Sequence, residues 1–189
     1  MLAIGRTGLR RIGLVVLDRR GRVCLTRILD LRRKRGHPLR LSYLRETIDG
    51  IVRYHCVAGI MLEAPTTRRP YPAGFPDTIH SVVQDHGLWF QERSPFGALR
   101  AVGIDGERHV VVAELAAEYP EVAQYIDFSR PSFFRHRDHE RDVIPLIHAF
   151  ALAHVVALEA SRGAARISNL IPQETNAVHR AALVSRTSV

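Results

Sequence analysis

Apolar residues recur with two periods along this chain. Leu2, Ala3 and Ile4 form a short apolar run that ends in Gly5-Arg6-Thr7-Gly8, and Ile12 to Leu17 form a second, β-branched run. Apolar run, glycine-punctuated turn, apolar run predicts a β-hairpin with Arg6 in the turn, at the rim of a sheet. Asp18-Arg19-Arg20-Gly21-Arg22 is a charged turn and Val23 to Leu29 a third strand, so residues 2–30 read as a meander. The period then changes. Leu41, Leu44, Ile48, Ile51 and Val52 fall at helical spacing and predict an amphipathic helix over 39–55. Val57 to Leu62 is a short apolar run after that helix, read as a strand parallel to the first and closed by Glu63-Ala64-Pro65.

The second half is less regular. Residues 64–78 hold five prolines and glycines with Arg68, Arg69, Tyr71 and Phe75, and read as a loop whose aromatics could stack on bases. A helix is expected from Pro76 or Asp77 to Phe90, a strand over His109–Leu115, and a helix over Glu114–Ile126 interrupted by Pro120. Val143, Ile147, Phe150, Ala151, His154, Val155 and Leu158 mark one helical face. Proline is tolerated in a first helical turn, so Pro145 places the start of that helix near Asp142. Residues 163–189 lose periodicity, which predicts one domain over 1–162 and a C-terminal tail.

Composition adds a partner class. The 189 residues are 46% hydrophobic with a net charge of +8, and Lys34 is the only lysine among the cations. Arginine binds phosphate bidentately and stacks on bases, so an arginine excess fits a nucleic-acid partner. A genome that encodes Arg in place of Lys would give the same excess. Candidate contacts are Arg10, Arg11, Arg19, Arg20, the block Arg32-Arg33-Lys34-Arg35, Arg68, Arg69, Arg135 and Arg137. Cys24 and Cys56 belong to no CxxC pair, which predicts a reduced, cytoplasmic protein without structural zinc. No apolar run is read as a membrane span or a leader.

Gly8-x-x-Arg11-Ile12-Gly13 followed by an apolar strand resembles the opening of the RuvC-like branch of the ribonuclease H superfamily. That branch includes the Holliday-junction resolvases and the YqgF-type nucleases. The resemblance implies a mixed α/β sheet, three antiparallel strands followed by parallel ones, with helices on both faces. It implies catalytic magnesium held by an Asp two residues before the first of these glycines, where this chain has Arg6. It further implies a Glu ending the fourth strand, matched by Glu63, and a His-x-x-Asp opening the last helix, matched by His139 and Asp142. The resemblance covers roughly residues 2–156, with a poorly matched middle.

Two-metal hydrolysis needs several carboxylate or imidazole ligands converging on ions about 4 Å apart. Glu63, His139 and Asp142 are the candidate ligands and catalytic residues, with Asp138 and Glu140 as alternates. A guanidinium at Arg6 would occupy the volume and supply the charge of an ion among them. Simpler roles stay open: Glu63 as a strand-end residue, Asp138 and Asp142 as helix N-caps, His139 on the surface, His148 and His154 at the edge of the core. Three functions follow as expectations: a DNA-binding protein with a degenerate nuclease centre, a magnesium-dependent structure-specific endonuclease with altered ligands, or a non-catalytic scaffold subunit. A homodimer or a larger DNA-processing complex is the expected assembly.

Overall fold

The computed structural model describes residues 1–6, 10–32, 36–67, 69–101, 103–104, 108–123 and 138–170; the side chains of 108–109, 138–143 and 164–170 lie outside the description. Five strands form one sheet: β1 (Leu2–Arg6), β2 (Arg11–Leu17), β3 (Val23–Asp30), β4 (Gly59–Glu63) and β5 (Trp89–Arg93). Their order is β3-β2-β1-β4-β5. The meander β1-β2-β3 is antiparallel, and β4 and β5 join parallel to β1. This is the mixed sheet expected from the sequence.

Six helices complete the described chain: α1 (His37–Tyr54), α2 (Phe75–His86), α3 (Pro95–Ala101), α4 (Arg108–Glu118), α5 (Pro120–Ala123) and α6 (Asp138–Leu170). The predicted apolar stripe of α1 is its buried face: Leu44, Ile48, Ile51 and Val52 are all in the core. Pro38 stands in its first turn, where a missing N–H costs nothing.

Side chains alternate across a sheet. Leu2, Ile4, Ile12, Leu14, Val16, Ile60 and Leu62 point to one face, where α1 and α2 bring Leu44, Ile48, Phe75, Ile79 and Val82. Ala3, Gly5, Gly13 and Met61 alternate with them and point to the other. There α6 crosses β1 and β2 at the directly paired glycines Gly5 and Gly13. A Cβ on Gly5 would collide with the Pro145 carbonyl and lie 2.6 Å from the Ala149 nitrogen; one on Gly13 would collide with Pro145 and Leu146. The two glycines form a notch that admits helix backbone, and they permit helices on both faces of the sheet.

Several elements differ from the sequence expectation. Residues 108–118 are helix α4, not a strand. Their buried positions, Val111, Val112, Leu115 and Ala116, continue at helical spacing to Tyr119 and Val122, so helical burial outweighs the β-branched run. β5 occupies residues expected to end the preceding helix. Gly87, in the left-handed conformation, stops α2 at His86 and releases Trp89 to pair with Gly59. α6 begins at Asp138, ahead of Asp142, so Pro145 lies inside it. The same helix runs past 163 to Leu170, and the chain divides into the compact units Met1–Ala157 and Leu158–Val189. One stretch, Ile144–Gly163, is long and apolar enough to cross a membrane, against the expectation that no run was; 56% of it is buried within the protein, and Leu146 to Ala153 are core residues.

Candidate functional site at the end of β1 and β4

β1 and β4 run in the register Leu2↔Ile60, Ala3↔Met61, Ile4↔Leu62. One step further sets Gly5 beside Glu63. Residues opposite one another in a sheet share a face, so Gly5 and Glu63 look toward α6 and Arg6 looks toward α1 and α2. The expectation that Arg6 stands among the carboxylates is therefore corrected. β1 extends through Gly5 and Arg6 instead of turning there, and the strand's alternation carries the guanidinium to the opposite face.

On the α6 face, Glu63 is 7% exposed and its partner is His148, 4% exposed. His148 Nδ1 donates to Glu63 Oε2 at 2.9 Å, and the same oxygen accepts the backbone N–H of Arg6 at 2.7 Å. The carboxylate thus continues the sheet's ladder past the last residue of β1 and fixes one ring nitrogen of α6. Phe96 of α3 meets the His148 ring edge to face, with centroids 5.5 Å apart.

On the opposite face, Arg6 is 2% exposed. Its Nη2 donates to the Arg69 carbonyl at 2.8 Å and its Nη1 to the Pro70 carbonyl at 3.2 Å. The guanidinium lies over the Tyr71 ring, 4.4 Å from its centroid, within cation–π range. Tyr71 stacks in turn on buried Phe75, with centroids 5.6 Å apart, and its hydroxyl donates to the Glu63 carbonyl at 3.0 Å. Burial lowers the Arg6 pKa, a shift opposed by the charge of Glu63; Arg remains protonated at neutral pH regardless. Burial, and then the charge of Glu92, pushes the Tyr71 phenol far above its usual range. Neither aromatic of this loop is a free stacking platform, because Tyr71 lies between Arg6 and Phe75.

Of the expected ligands, Glu63 stands where the sequence put it, at the carboxyl end of a buried strand. The side chains of Asp138, His139, Glu140 and Asp142 lie outside the described residues. Among the described residues, no three His, Cys, Asp or Glu side chains converge as a metal site. The pair found there, Glu63 and His148, is engaged with itself and with the Arg6 backbone. A third ligand from β1 would stand at Gly5, in space held by α6 backbone. The sequence reading missed His148, which it placed at the core edge, and the paired glycines. The signal for the glycine notch was the run Ala149, Ala151, Ala153, whose small side chains accompany close helix packing.

The candidate phosphate contacts separate into two ends of the sheet. Arg10, Arg32 and Arg69 are exposed at the end that carries Glu63. Arg19 and Arg20 are exposed in the β2–β3 turn, a strand's length or about 20 Å away. Arg11 is corrected: it is 9% exposed, with its Nε 3.8 Å from Asp30. Arg32 binds the same carboxylate and holds the Asp30 pKa down at about 2. Arg33, Lys34, Arg35, Arg68, Arg135 and Arg137 lie outside the described residues.

No protein-family model matches the chain, and no curated protein matches it in sequence. Solved structures do. The chain is similar to RuvC of Thermus thermophilus in complex with Holliday junction substrate, at 14% identity and a TM-score of 0.60, over 86% of this chain and 94% of that one. It is similar to a second Thermus thermophilus RuvC structure at 14% identity and a TM-score of 0.59, over 86% and 97%. The mixed five-stranded sheet, with antiparallel and parallel pairs and its helices, matches the RuvC-like, ribonuclease H-like fold.

Proposed function

We propose that this protein binds nucleic acid, duplex or branched DNA in the first instance, on a RuvC-like fold whose nuclease centre is degenerate. The observation that carries the reading is the occupied space at Gly5. A metal ligand from β1 must share the face of Glu63. Gly5 has that face and no side chain; Arg6 has a side chain and the other face. α6 backbone fills the volume between, so Glu63 serves as a structural acceptor for the Arg6 N–H and for His148. The nucleic-acid part is supported by the net charge of +8, by the exposed arginines at the Glu63 end, and by the fold's likeness to a protein bound to a Holliday junction. A homodimer or a place in a DNA-processing complex belongs to the same reading.

One assay tests it. The protein is incubated with four-way-junction, duplex and single-stranded DNA, with and without magnesium or manganese, and both binding and cutting are scored. The reading expects binding that falls steeply with salt, as counterion release requires, and no cutting. Metal-dependent cutting abolished by Glu63→Gln would make the protein an endonuclease with an altered ligand set. Absence of binding to any of the three would leave a scaffold protein.

A further inference from the structure

Arg6 is an expensive residue to bury. It is almost wholly enclosed, and its Nε is a buried donor without a partner among the described residues. A buried charge that is incompletely satisfied is a poor stabiliser, and an apolar side chain of similar volume commonly does as well or better. What the guanidinium does achieve is placement. Its two terminal nitrogens hold consecutive carbonyls, those of Arg69 and Pro70. The turn they belong to is closed on itself: Arg69 N donates to the Thr66 carbonyl at 2.9 Å and Thr66 N to the Arg69 carbonyl at 3.2 Å. The Thr66 hydroxyl accepts a further bond from Arg69 N at 3.1 Å. Tyr71 beneath is clamped between Arg6 and Phe75. The turn's carbonyls thus face inward to Arg6, and the Arg69 residue is exposed. The loop leaves β4 immediately after Glu63, at the end of the sheet where Arg10 and Arg32 are also exposed.

We propose that Arg6 is a positioning residue: it fixes the 66–70 turn so that Arg69 is presented, preordered, to a phosphodiester of bound nucleic acid. This rests on the nucleic-acid-binding reading above and assigns a part of the surface to it. Ordering a loop before binding removes an entropic cost from binding itself, which is the advantage a poorly satisfied buried cation can confer. A lysine would not substitute, because one ammonium on a flexible stem does not hold two adjacent carbonyls as a planar fork does.

The test compares the unaltered protein with Arg69→Ala, Arg6→Met and the double variant, on a labelled four-way junction over a range of salt. Removing one phosphate contact should flatten the log–log salt slope by about 0.9. Arg69→Ala should do so, and Arg6→Met should do so by about the same amount although Arg69 is intact. The double variant should bind no worse than Arg69→Ala alone. Hydrogen exchange should show residues 64–74 losing protection in Arg6→Met. A merely structural role would change the melting temperature and leave the slope alone. If Arg6→Met fails to melt cooperatively, Arg6→Gln replaces it under the same criteria. An unchanged slope in the Arg6 variant, or in Arg69→Ala, overturns the proposal while junction binding by the unaltered protein leaves the functional reading standing. Salt-insensitive binding or none by the unaltered protein overturns both.

Discussion

Arg6 and Glu63 end neighbouring strands, yet the two faces of the sheet treat them differently. On the α6 face, a short glycine notch brings helix backbone down onto β1, and the carboxylate is left with an N–H and an imidazole to serve. On the α1–α2 face, the arginine passes beyond the last layer of the core and captures a loop. One face is closed by backbone and the other by a long side chain. A face closed by backbone has no volume for an added ligand, whereas a face closed by a side chain can be retuned by replacing it. A ligand added on the second face therefore cannot serve a site on the first.

The largest expected effect comes from filling the notch. Gly5→Ala should cost about 3 kcal/mol or more, since overpacking a tight contact has that scale and here the neighbours are backbone atoms. Gly5→Asp should fail to fold, though it offers a carboxylate on the face of Glu63. Chemical denaturation measures the first and expression with circular dichroism the second. A stable Gly5→Asp protein that binds magnesium would mean that α6 can withdraw.

Arg6→Asp comes next. It strands the Arg69 and Pro70 carbonyls without their donors and buries an unpaired carboxylate closer to the strand, and should cost about 3–5 kcal/mol, the scale for stranding a buried charge. It should leave magnesium affinity unchanged, because the new carboxylate is on the wrong face. Recovery of stability on adding magnesium would put Arg6 in the site after all.

The comparison also marks what the amino-acid pattern made legible. The meander, α1 and the position of Glu63 follow from runs and spacings confined to a few neighbouring residues. The pairing of Gly5 with Gly13 depends on hairpin register, and the separate register of β1 on β4 decides which of two adjacent residues shares a face with Glu63. A slip of one residue reverses the face, which is why Arg6 reads as a ligand replacement in the sequence and as a loop anchor in the structure. His148 was illegible for a related reason. Almost every side of α6 from Leu146 to Ala153 is buried, so no stripe distinguished the residue that meets Glu63. α4 was set by tertiary burial acting on a short segment that suits either conformation, and β5 by the helix stop at Gly87 and its pairing with β4.

Smaller effects sharpen the picture. Glu63→Gln keeps the shape and one acceptor, so it should cost about 1 kcal/mol, the net worth of an ordinary hydrogen bond. A metal ligand would behave otherwise: its loss would alter stability only when magnesium is present. Melting curves with and without the ion separate the two.

The smallest effect is in pH. His154 lies 3.1 Å from the Tyr119 hydroxyl, and burial lowers its pKa below the ordinary 6.5, against the opposing charges of Glu118 and Glu114. The same burial pushes Tyr119 up to about 12. A histidine held neutral in the folded state binds its proton more readily when unfolded. Its contribution is complete above about pH 6.5 and declines as pH falls through that value toward the folded pKa. Stability should therefore drop between pH 7 and 5, and His154→Asn should flatten that slope. An unchanged slope would mean that other groups dominate it.

The proposed function makes the Glu63 end of the sheet a binding surface and not a metal centre. Calorimetric titration of the unaltered protein with magnesium, repeated on Glu63→Gln, addresses it most directly. The account predicts no binding heat that depends on Glu63, in a protein that still retains a four-way junction at low salt. Tight magnesium binding that disappears in Glu63→Gln, together with cleavage of the junction, would contradict it.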